Sequence, residues 1–292
     1  VRDEDGNPSG ILVSAAGYLV TSNIPPEPEL TEEEELEALR LGSDALLEAG
    51  ITTVHDLTAS SIKDVELRKK AYEEGFLRVR LMDALDQDAA FELGSPVSGL
   101  FDNRYSTKWV KMFIDGSLGG RGAALFESYS DMPGETGALR ELGQQEDSYA
   151  ELVAELLKRG FRTRTHSIGD RGNHISLNAF EKAMELAELS PDEARLVVEH
   201  AQILHPDDIE RFRDGRIIAS MQPVHATEDM LFVSDRIGEE RAASGAYAWR
   251  SILDNNGIIA AGSDYGVSPY NPFYGLHAAV TRQDRENTPP GG

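Results

Sequence analysis

The heptapeptide RLVVEHA at residues 195–201 contains a short apolar run, LVV, which is followed by two polar side chains, Glu199 and His200. A strand that is apolar on both faces is typical of a parallel sheet covered on both sides. The other stretches of this kind are ITTVHDL at 51–57, LRVRLMDAL at 77–85, WVKMFIDG at 109–116, RTRTHSIG at 162–169, IIASMQP at 217–223 and IIAAGSD at 258–264. The sequence therefore predicts seven parallel strands.

Helical patterns lie between most of these stretches. The sequence TEEE at 31–34 predicts a capping box that opens a helix ending at Gly50. Apolar periodicity predicts further helices at 149–159, 177–189 and 272–282. Alternating strands and helices predict an α/β fold of the (β/α)8 TIM-barrel type, which needs eight strands to close. Either the sheet is open or the chain lacks one strand.

Length and composition limit the possible functions. The 292 residues are enough for one large domain, so we expect 1–292 to form a single domain. A net charge of −23 argues against nucleic acid as a partner. No apolar run approaches the roughly 18 residues that span a bilayer, so we expect no membrane insertion. Cys is absent, so a metal ion would have to bind to His, Asp, Glu or Lys.

The first residue is Val1, and the residues after it lack the charged and apolar regions of a signal peptide. We therefore expect the chain to be part of a longer, cytoplasmic protein.

Four polar side chains lie near the C-terminal ends of predicted strands, where a β/α barrel keeps its active site. Lys111 lies in an apolar run, where a lysine is costly to bury unless its charge is paired or chemically altered. His166 and His200 lie at the ends of successive strands, and neutral imidazole is the usual ligand of zinc. Asp264 ends the last strand.

Each of these residues has an ordinary structural explanation when it is considered alone. Lys111 can face inward by chance, His166 and His200 can be hydrogen-bonded core residues, and Asp264 can cap a helix. In combination, they predict one metal site that activates water, with a carboxylate as proton acceptor.

Three further residues are predicted to contact substrate. His225 follows a strand end, where its ring N–H could bind a substrate carbonyl or stabilise the loop. Asp115 and Arg121 lie on the Gly-rich loop DGSLGGR at 115–121, which is predicted to act as a lid. This loop lacks the Gly-Lys-Ser/Thr ending of a phosphate-binding loop.

Six motifs together make the sequence similar to a known family. They are GITTVHD at 50–56, KMFIDGS at 111–117, HSIGDR at 166–171, EHAQ at 199–202, SMQPVH at 220–225 and GSD at 262–264. The chain resembles the amidohydrolase superfamily, and within it the YtcJ-like branch that includes N-substituted formamide deformylases. The resemblance runs over essentially the whole chain.

The resemblance implies a distorted (β/α)8 barrel beside a small β-sandwich, which hydrolyses amide or related C–N bonds. It implies that Lys111 is carboxylated and bridges two metal ions where the site is binuclear. By the same resemblance, His166 and His200 are ligands from the fifth and sixth barrel strands. Asp264 is both a ligand and the general base. We expect zinc as the cofactor, a small amide, formamide or cyclic amide as substrate, and a homodimer.

The sequence departs from the family in one respect, because it contains no His-x-His pair. The family places that pair on the first barrel strand, so we expect the chain to lack this strand and the β-sandwich. Two explanations remain open, a truncated stretch of a normal enzyme and a natural variant that lost the pair. The alternative functions are a lactonase or phosphotriesterase-like metal hydrolase, and a catalytically inactive barrel that acts as a binding or scaffold protein.

Overall fold

The computed structural model describes residues 5–10, 12, 17–25 and 28–291, so residues 1–4 at the start of the chain lie outside the described residues. A single sheet organises the chain. Its strands are β1 Thr53–Ser60, β2 Arg80–Leu85, β3 Val97–Gly99, β4 Tyr105–Phe113, β5 Arg162–Ser167, β6 Val197–His200, β7 Ile218–Met221 and β8 Ile259–Ala261.

The seven predicted strands are confirmed, and they form one parallel array in the order β1-β2-β4-β5-β6-β7-β8. The sequence analysis missed β3, a three-residue strand that pairs antiparallel with β4. Within the described residues, β1 and β8 are the two ends of this array and do not pair with each other. The α/β fold is therefore a curled, open part of a TIM barrel.

Helices follow most of the strands. They are α1 Tyr18–Thr21, α2 Glu32–Glu48, α3 Ile62–Glu73, α4 Gln87–Leu93, α5 Leu100–Asn103, α6 Glu141–Gln144, α7 Glu146–Lys158, α8 Asp170–Ala187, α9 Pro191–Ala194, α10 Pro223–Asp229, α11 Val233–Ile237, α12 Glu239–Gly245, α13 Trp249–Asp254 and α14 Pro272–Thr281, with a 3-10 helix at Pro206–Gly215. No helix in the described part of the chain is long and apolar enough to cross a membrane.

The predicted start of α2 agrees with local hydrogen bonding. Thr31 accepts from the backbone N–H of Glu34, and the Glu34 carboxylate accepts from the backbone N–H of Thr31, which is the predicted capping box. The helix predicted at 177–189 begins earlier, at Asp170, directly after the β5 turn.

Neighbouring residues of one strand pack on opposite faces of the sheet. Val198 of β6 belongs to the main core, which lies between the sheet and the helices. Val197 belongs to a smaller inner cluster with Ala84, Trp109 and Ile218. Because side chains alternate between faces along a strand, a strand buried on both sides must be apolar at successive positions. Because the seven strands run parallel, their C-terminal ends lie at one rim of the sheet.

Candidate metal centre

Five polar side chains gather at the C-terminal rim of the sheet. Lys111 and His166 lie near the ends of β4 and β5, and His200 ends β6. His225 lies in the first turns of α10, just after β7, and Asp264 follows β8. The four residues predicted as metal ligands therefore come together, and His225 joins them.

Three of these residues present their donor atoms closest together. Ligand atoms of His200, His225 and Asp264 all lie within 4.8 Å of one another. Nε2 of His225 lies 3.8 Å from Oδ2 of Asp264, and the rings of His200 and His225 stack with their centroids 6.0 Å apart. The geometry thus places His225, predicted to contact substrate, among the candidate metal ligands.

His166 lies beside this group without belonging to it. Its ring centroid is 4.6 Å from that of His200, in an edge-on arrangement. Burial, followed by the charges of His200 and Lys111, lowers the pKa of His166 to about 2, so the imidazole is neutral. Its Nε2 is buried and forms no hydrogen bond, although Oδ1 of Asp115 lies 3.5 Å away.

A hydrogen bond from Gln222 orients His200. Oε1 of Gln222 lies 2.8 Å from Nδ1 of His200, and an amide oxygen can only accept, so Nδ1 carries the proton. Nε2 is then left with a free lone pair. Burial, followed by the charge of Lys111, lowers the pKa of His200 to about 4. A metal-binding histidine is commonly fixed in this way through its second ring nitrogen.

The backbone at two of the candidate ligands is left-handed. The φ angle is 76° at His200, 42° at the following Ala201 and 53° at Asp264. A non-glycine residue in this region costs on the order of 1–3 kcal/mol, and such strain clusters at functional sites. The strand ends therefore turn sharply where the candidate ligands leave the sheet.

Lys111 is 9% exposed, and its Nζ lies 5.0 Å from the centre of the Phe113 ring. Burial lowers the pKa of Lys111, and the charges of Glu199 and Asp264 oppose that shift. The lysine is thus within electrostatic reach of Asp264.

Asp115 lies at the base of the Gly-rich loop and is fully buried. Its carboxylate accepts backbone N–H bonds from Ala124, Ile168 and Gly169 at 2.9, 3.0 and 2.8 Å. Burial raises the pKa of Asp115 to about 7. These contacts tie the loop to the turn after β5, and they favour a structural role over the predicted contact with substrate.

Arg121 is not brought to the candidate ligands. Its Nη2 lies 2.7 Å from Oδ2 of Asp131, and Arg236 of α11 donates to the same carboxylate. Arg236 also donates to the carbonyl of Gly119 at 3.1 Å. The Gly-rich loop is therefore held against α11 by an ion-paired clasp of Arg121, Asp131 and Arg236.

The donor atoms fit a divalent metal ion. Imidazole and carboxylate donors are the usual ligands of zinc. Two of the imidazoles, His166 and His225, have a buried Nε2 atom without a hydrogen-bond partner, which is costly unless something binds there. A metal ion among His200, His225 and Asp264 would satisfy the Nε2 atom of His225, whereas that of His166 faces Oδ1 of Asp115 at 3.5 Å.

Comparison with known proteins agrees with this geometry. The family model described as "Amidohydrolase family" matches residues 1–291. The chain belongs to the amidohydrolase family. The chain is 32% identical over 303 residues to Protein LONG AFTER FAR-RED 3 of Arabidopsis thaliana, covering 97% of this chain and 49% of the plant protein. It is 29% identical to the putative amidohydrolase YtcJ of Bacillus subtilis, over 97% of this chain and 52% of YtcJ.

The chain thus spans about half the length of the curated relatives that it matches. The crystal structure of an uncharacterized metal-dependent hydrolase from Pyrococcus furiosus superposes with a TM-score of 0.75 and 26% identity, covering 94% of this chain and 54% of that one. A metal-dependent hydrolase from Pyrococcus horikoshii has the same TM-score at 24% identity, which shows the shared fold, over 91% of this chain and 51% of that one. Both the predicted family and the predicted fold class are confirmed.

The sequence analysis missed three polar residues near the candidate ligands. Gln222 orients His200, and Arg164 and Glu199 form a buried pair below the rim. A signal was present, because Arg164 precedes His166 by two positions and so shares its face of β5.

Proposed function

We propose that this chain carries the metal-binding, water-activating centre of a hydrolase that cleaves a C–N bond of a small amide, formamide or cyclic amide. The main support is the convergence of His200, His225 and Asp264, whose donor atoms lie within 4.8 Å of one another. Membership of the amidohydrolase family supports the reaction class. The activity belongs to the complete protein, since the chain spans about half of its relatives.

His200, His225 and Asp264 would hold the metal, and His166, a ligand by the family resemblance, lies beside them with Lys111. We propose zinc, because the donors are nitrogen and oxygen atoms. A bound divalent ion lowers the pKa of water and polarises a substrate carbonyl. The sequence lacks His-x-His, so we expect the isolated chain to bind metal more weakly than a site with that pair.

Asp264 is the proposed general base. Its side chain is 39% exposed, whereas His200 and His225 are buried, so this carboxylate can reach both solvent and the other donors. A carboxylate within hydrogen-bond reach of water can accept its proton. Lys111, whose pKa is lowered by burial, is the proposed site of carboxylation because carbamate formation requires the neutral amine.

Metal content measured by plasma mass spectrometry tests this proposal. The variants His200→Ala and Asp264→Ala remove candidate ligands, and His277→Ala is the matched control, because His277 contacts the carbonyl of Asp284 instead. We expect about one or two zinc ions per chain, lost in the site variants and retained in the control. If the wild-type chain holds no metal after reloading, the metal-centre proposal is wrong.

The substrate class needs a separate test on the complete protein. Panels of amides, lactones and phosphotriesters are compared at the same metal loading. Hydrolysis confined to amides supports C–N cleavage. Preferential hydrolysis of lactones or phosphotriesters would overturn the substrate class while leaving the metal centre intact.

A further inference from the structure

The guanidinium of Arg164 joins several strands inside the sheet. Its Nη1 lies 2.7 Å from Nδ1 of His55 on β1, and its Nη2 donates to Oγ of Ser220 on β7 at 2.9 Å. Its Nε lies 2.5 Å from Oε1 of Glu199 on β6. The angle between the two groups does not suit a hydrogen bond, so this contact is an ion pair. The guanidinium also stacks over Trp109 of β4 at 5.3 Å.

This pair of opposite charges lies in the interior. Arg164 is 5% exposed and Glu199 is 1% exposed. Removing two ions from water costs several kcal/mol per ion, and apolar residues of similar volume often replace such a pair without loss of stability. Stability alone is therefore a poor reason for an arginine at this position.

Apart from β1, the strands that Arg164 contacts also carry or lead into parts of the candidate metal centre. Arg164 precedes His166 by two residues on the same face of β5, and Glu199 directly precedes His200.

The same holds on the neighbouring strands. Ser220 precedes Gln222 by two residues, and Gln222 accepts the hydrogen bond from His200. On the other side, Lys111 of β4 is the cross-strand partner of Arg164. The guanidinium therefore lies at the centre of a layer directly below the candidate ligands.

We propose that Arg164 is a positioning residue for the metal centre, which sets the relative heights of β5, β6 and β7 and so the spacing of His166, His200 and Gln222. This inference rests on the proposed metal site. It goes beyond that site by assigning a role to a residue that cannot itself bind the metal, because a guanidinium has donors only.

The shape of the side chain is essential to this role. Arginine presents five N–H donors in a rigid, planar fork, whereas lysine presents one flexible point charge. Since a guanidinium only donates, Nδ1 of His55 accepts, and its tautomer is fixed with the proton on Nε2. Lysine at position 164 would keep the charge near Glu199 but could not hold His55, Glu199 and Ser220 together.

The experiment compares Arg164→Lys with a matched control, Arg68→Lys. Arg68 is also buried and faces three carboxylates, Asp56 at 2.8 Å, Asp83 at 3.4 Å and Asp64 at 4.0 Å, but it lies on α3 and contacts none of the candidate ligands. Cobalt(II) is titrated into each metal-free chain and followed by visible absorption, which reports affinity and ligand geometry. Melting of the metal-free chains is measured in parallel.

We expect Arg164→Lys to weaken cobalt binding by roughly 10- to 100-fold and to change the shape of the absorption band, as loss of a supporting partner does at other metal sites. Arg68→Lys should lower the melting temperature by a similar amount but change affinity by less than about twofold. Equal affinity losses in both variants would reduce Arg164 to a general stabilising role and overturn the proposal. Retention of wild-type affinity and spectrum in Arg164→Lys would also overturn it.

The same titration separates this inference from the proposed function. If the wild-type chain binds no cobalt, the metal centre itself is wrong and the positioning role falls with it. If the wild-type chain binds cobalt and Arg164→Lys binds it equally well, only the positioning role is wrong. A second variant, Ser220→Ala, removes one contact of the fork and should give a smaller loss of affinity in the same direction.

Discussion

Nδ1 of His200 donates a hydrogen bond of 2.8 Å to Oε1 of Gln222, so the two side chains form a buried pair across β6 and the end of β7. Gln222→Leu keeps the volume but removes the acceptor. We expect zinc affinity to fall by roughly 10- to 100-fold, because His200 loses the bond that fixes its tautomer and ring orientation. Isothermal titration with zinc measures this, and Gln283→Leu, at a half-buried glutamine that donates to the carbonyl of Pro289, serves as control. An unchanged affinity in Gln222→Leu would show that His200 needs no support.

His225 can now be assigned by experiment to the metal or to substrate. Its Nε2 is buried without a hydrogen-bond partner and lies 3.8 Å from Oδ2 of Asp264. We expect His225→Ala to weaken zinc binding about as much as His200→Ala does, at least tenfold by analogy with other disrupted sites. Zinc stoichiometry and affinity of the two variants are compared in one titration series. Normal zinc binding with a raised KM in the complete protein would instead assign His225 to substrate.

Most of the fold was predictable, and the reason is visible in single residues. Val197 and Val198 pack on opposite faces of β6, so the unbroken apolar run correctly predicted a doubly covered parallel strand. The short β3 was missed because Val97–Gly99 pairs only locally with β4 and carries no apolar run.

The candidate site was predictable only in part. Lys111, His166, His200 and Asp264 could be named because strand ends converge in a β/α barrel. The hydrogen-bond partners of Asp115 could not be predicted from the sequence, because they include the backbone N–H of Ile168, which lies 53 positions further along the chain. The position of His225 beside Asp264 depends on the direction in which α10 leaves β7, which the sequence does not specify.

Gly172 lies where no side chain fits. A Cβ built at this position would lie 2.6 Å from Oδ2 of Asp115, whose carboxylate is held in place by three backbone N–H groups. We expect Gly172→Ala to lower the free energy of unfolding by about 1–3 kcal/mol, the usual cost of overpacking. Gly42→Ala in α2 meets no atom within 4 Å and should raise it by ~0.5–1 kcal/mol. Urea denaturation of both variants checks the contrast, and a neutral Gly172→Ala would contradict the close packing.

Asp83 gives the stability of the chain a specific pH dependence. Burial raises the pKa of Asp83 from 3.8 to about 6, against the opposing effects of Arg68 and Ser60. Between these pH values the folded state holds a proton that the unfolded state has lost, so stability falls as the pH rises through this window.

The isosteric variant Asp83→Asn removes this titration. The free energy of unfolding of the wild type minus that of the variant should fall by about 2 kcal/mol from pH 4 to pH 6, since one pKa unit corresponds to about 1.4 kcal/mol and each state is only partly titrated at one end of this range. Urea titrations at several pH values measure this difference, in which the contributions of other carboxylates cancel. A difference that stays constant or grows with pH would mean that Arg68 outweighs burial.

The clasp of Arg121, Asp131 and Arg236 holds the Gly-rich loop against α11. A small apolar cluster also joins the loop to α11, because Leu118 of the loop and Ile237 of α11 both belong to it. Asp131→Asn removes the charge that both arginines share. Partly exposed ion pairs contribute up to about 1 kcal/mol each, so global stability should change little.

Local opening of the loop should change more than global stability. Loss of about 1 kcal/mol raises the open population roughly fivefold, and amide hydrogen exchange in residues 117–135 should accelerate by that factor. Asp254→Asn, which breaks the exposed pair with Arg250 in α13, is the matched control and should leave the loop unchanged. Mass spectrometry compares the exchange rates of residues 117–135 in the wild type and the two variants. If the loop exchanges at the wild-type rate in Asp131→Asn, the apolar contacts alone hold it closed and the clasp has no part in its opening.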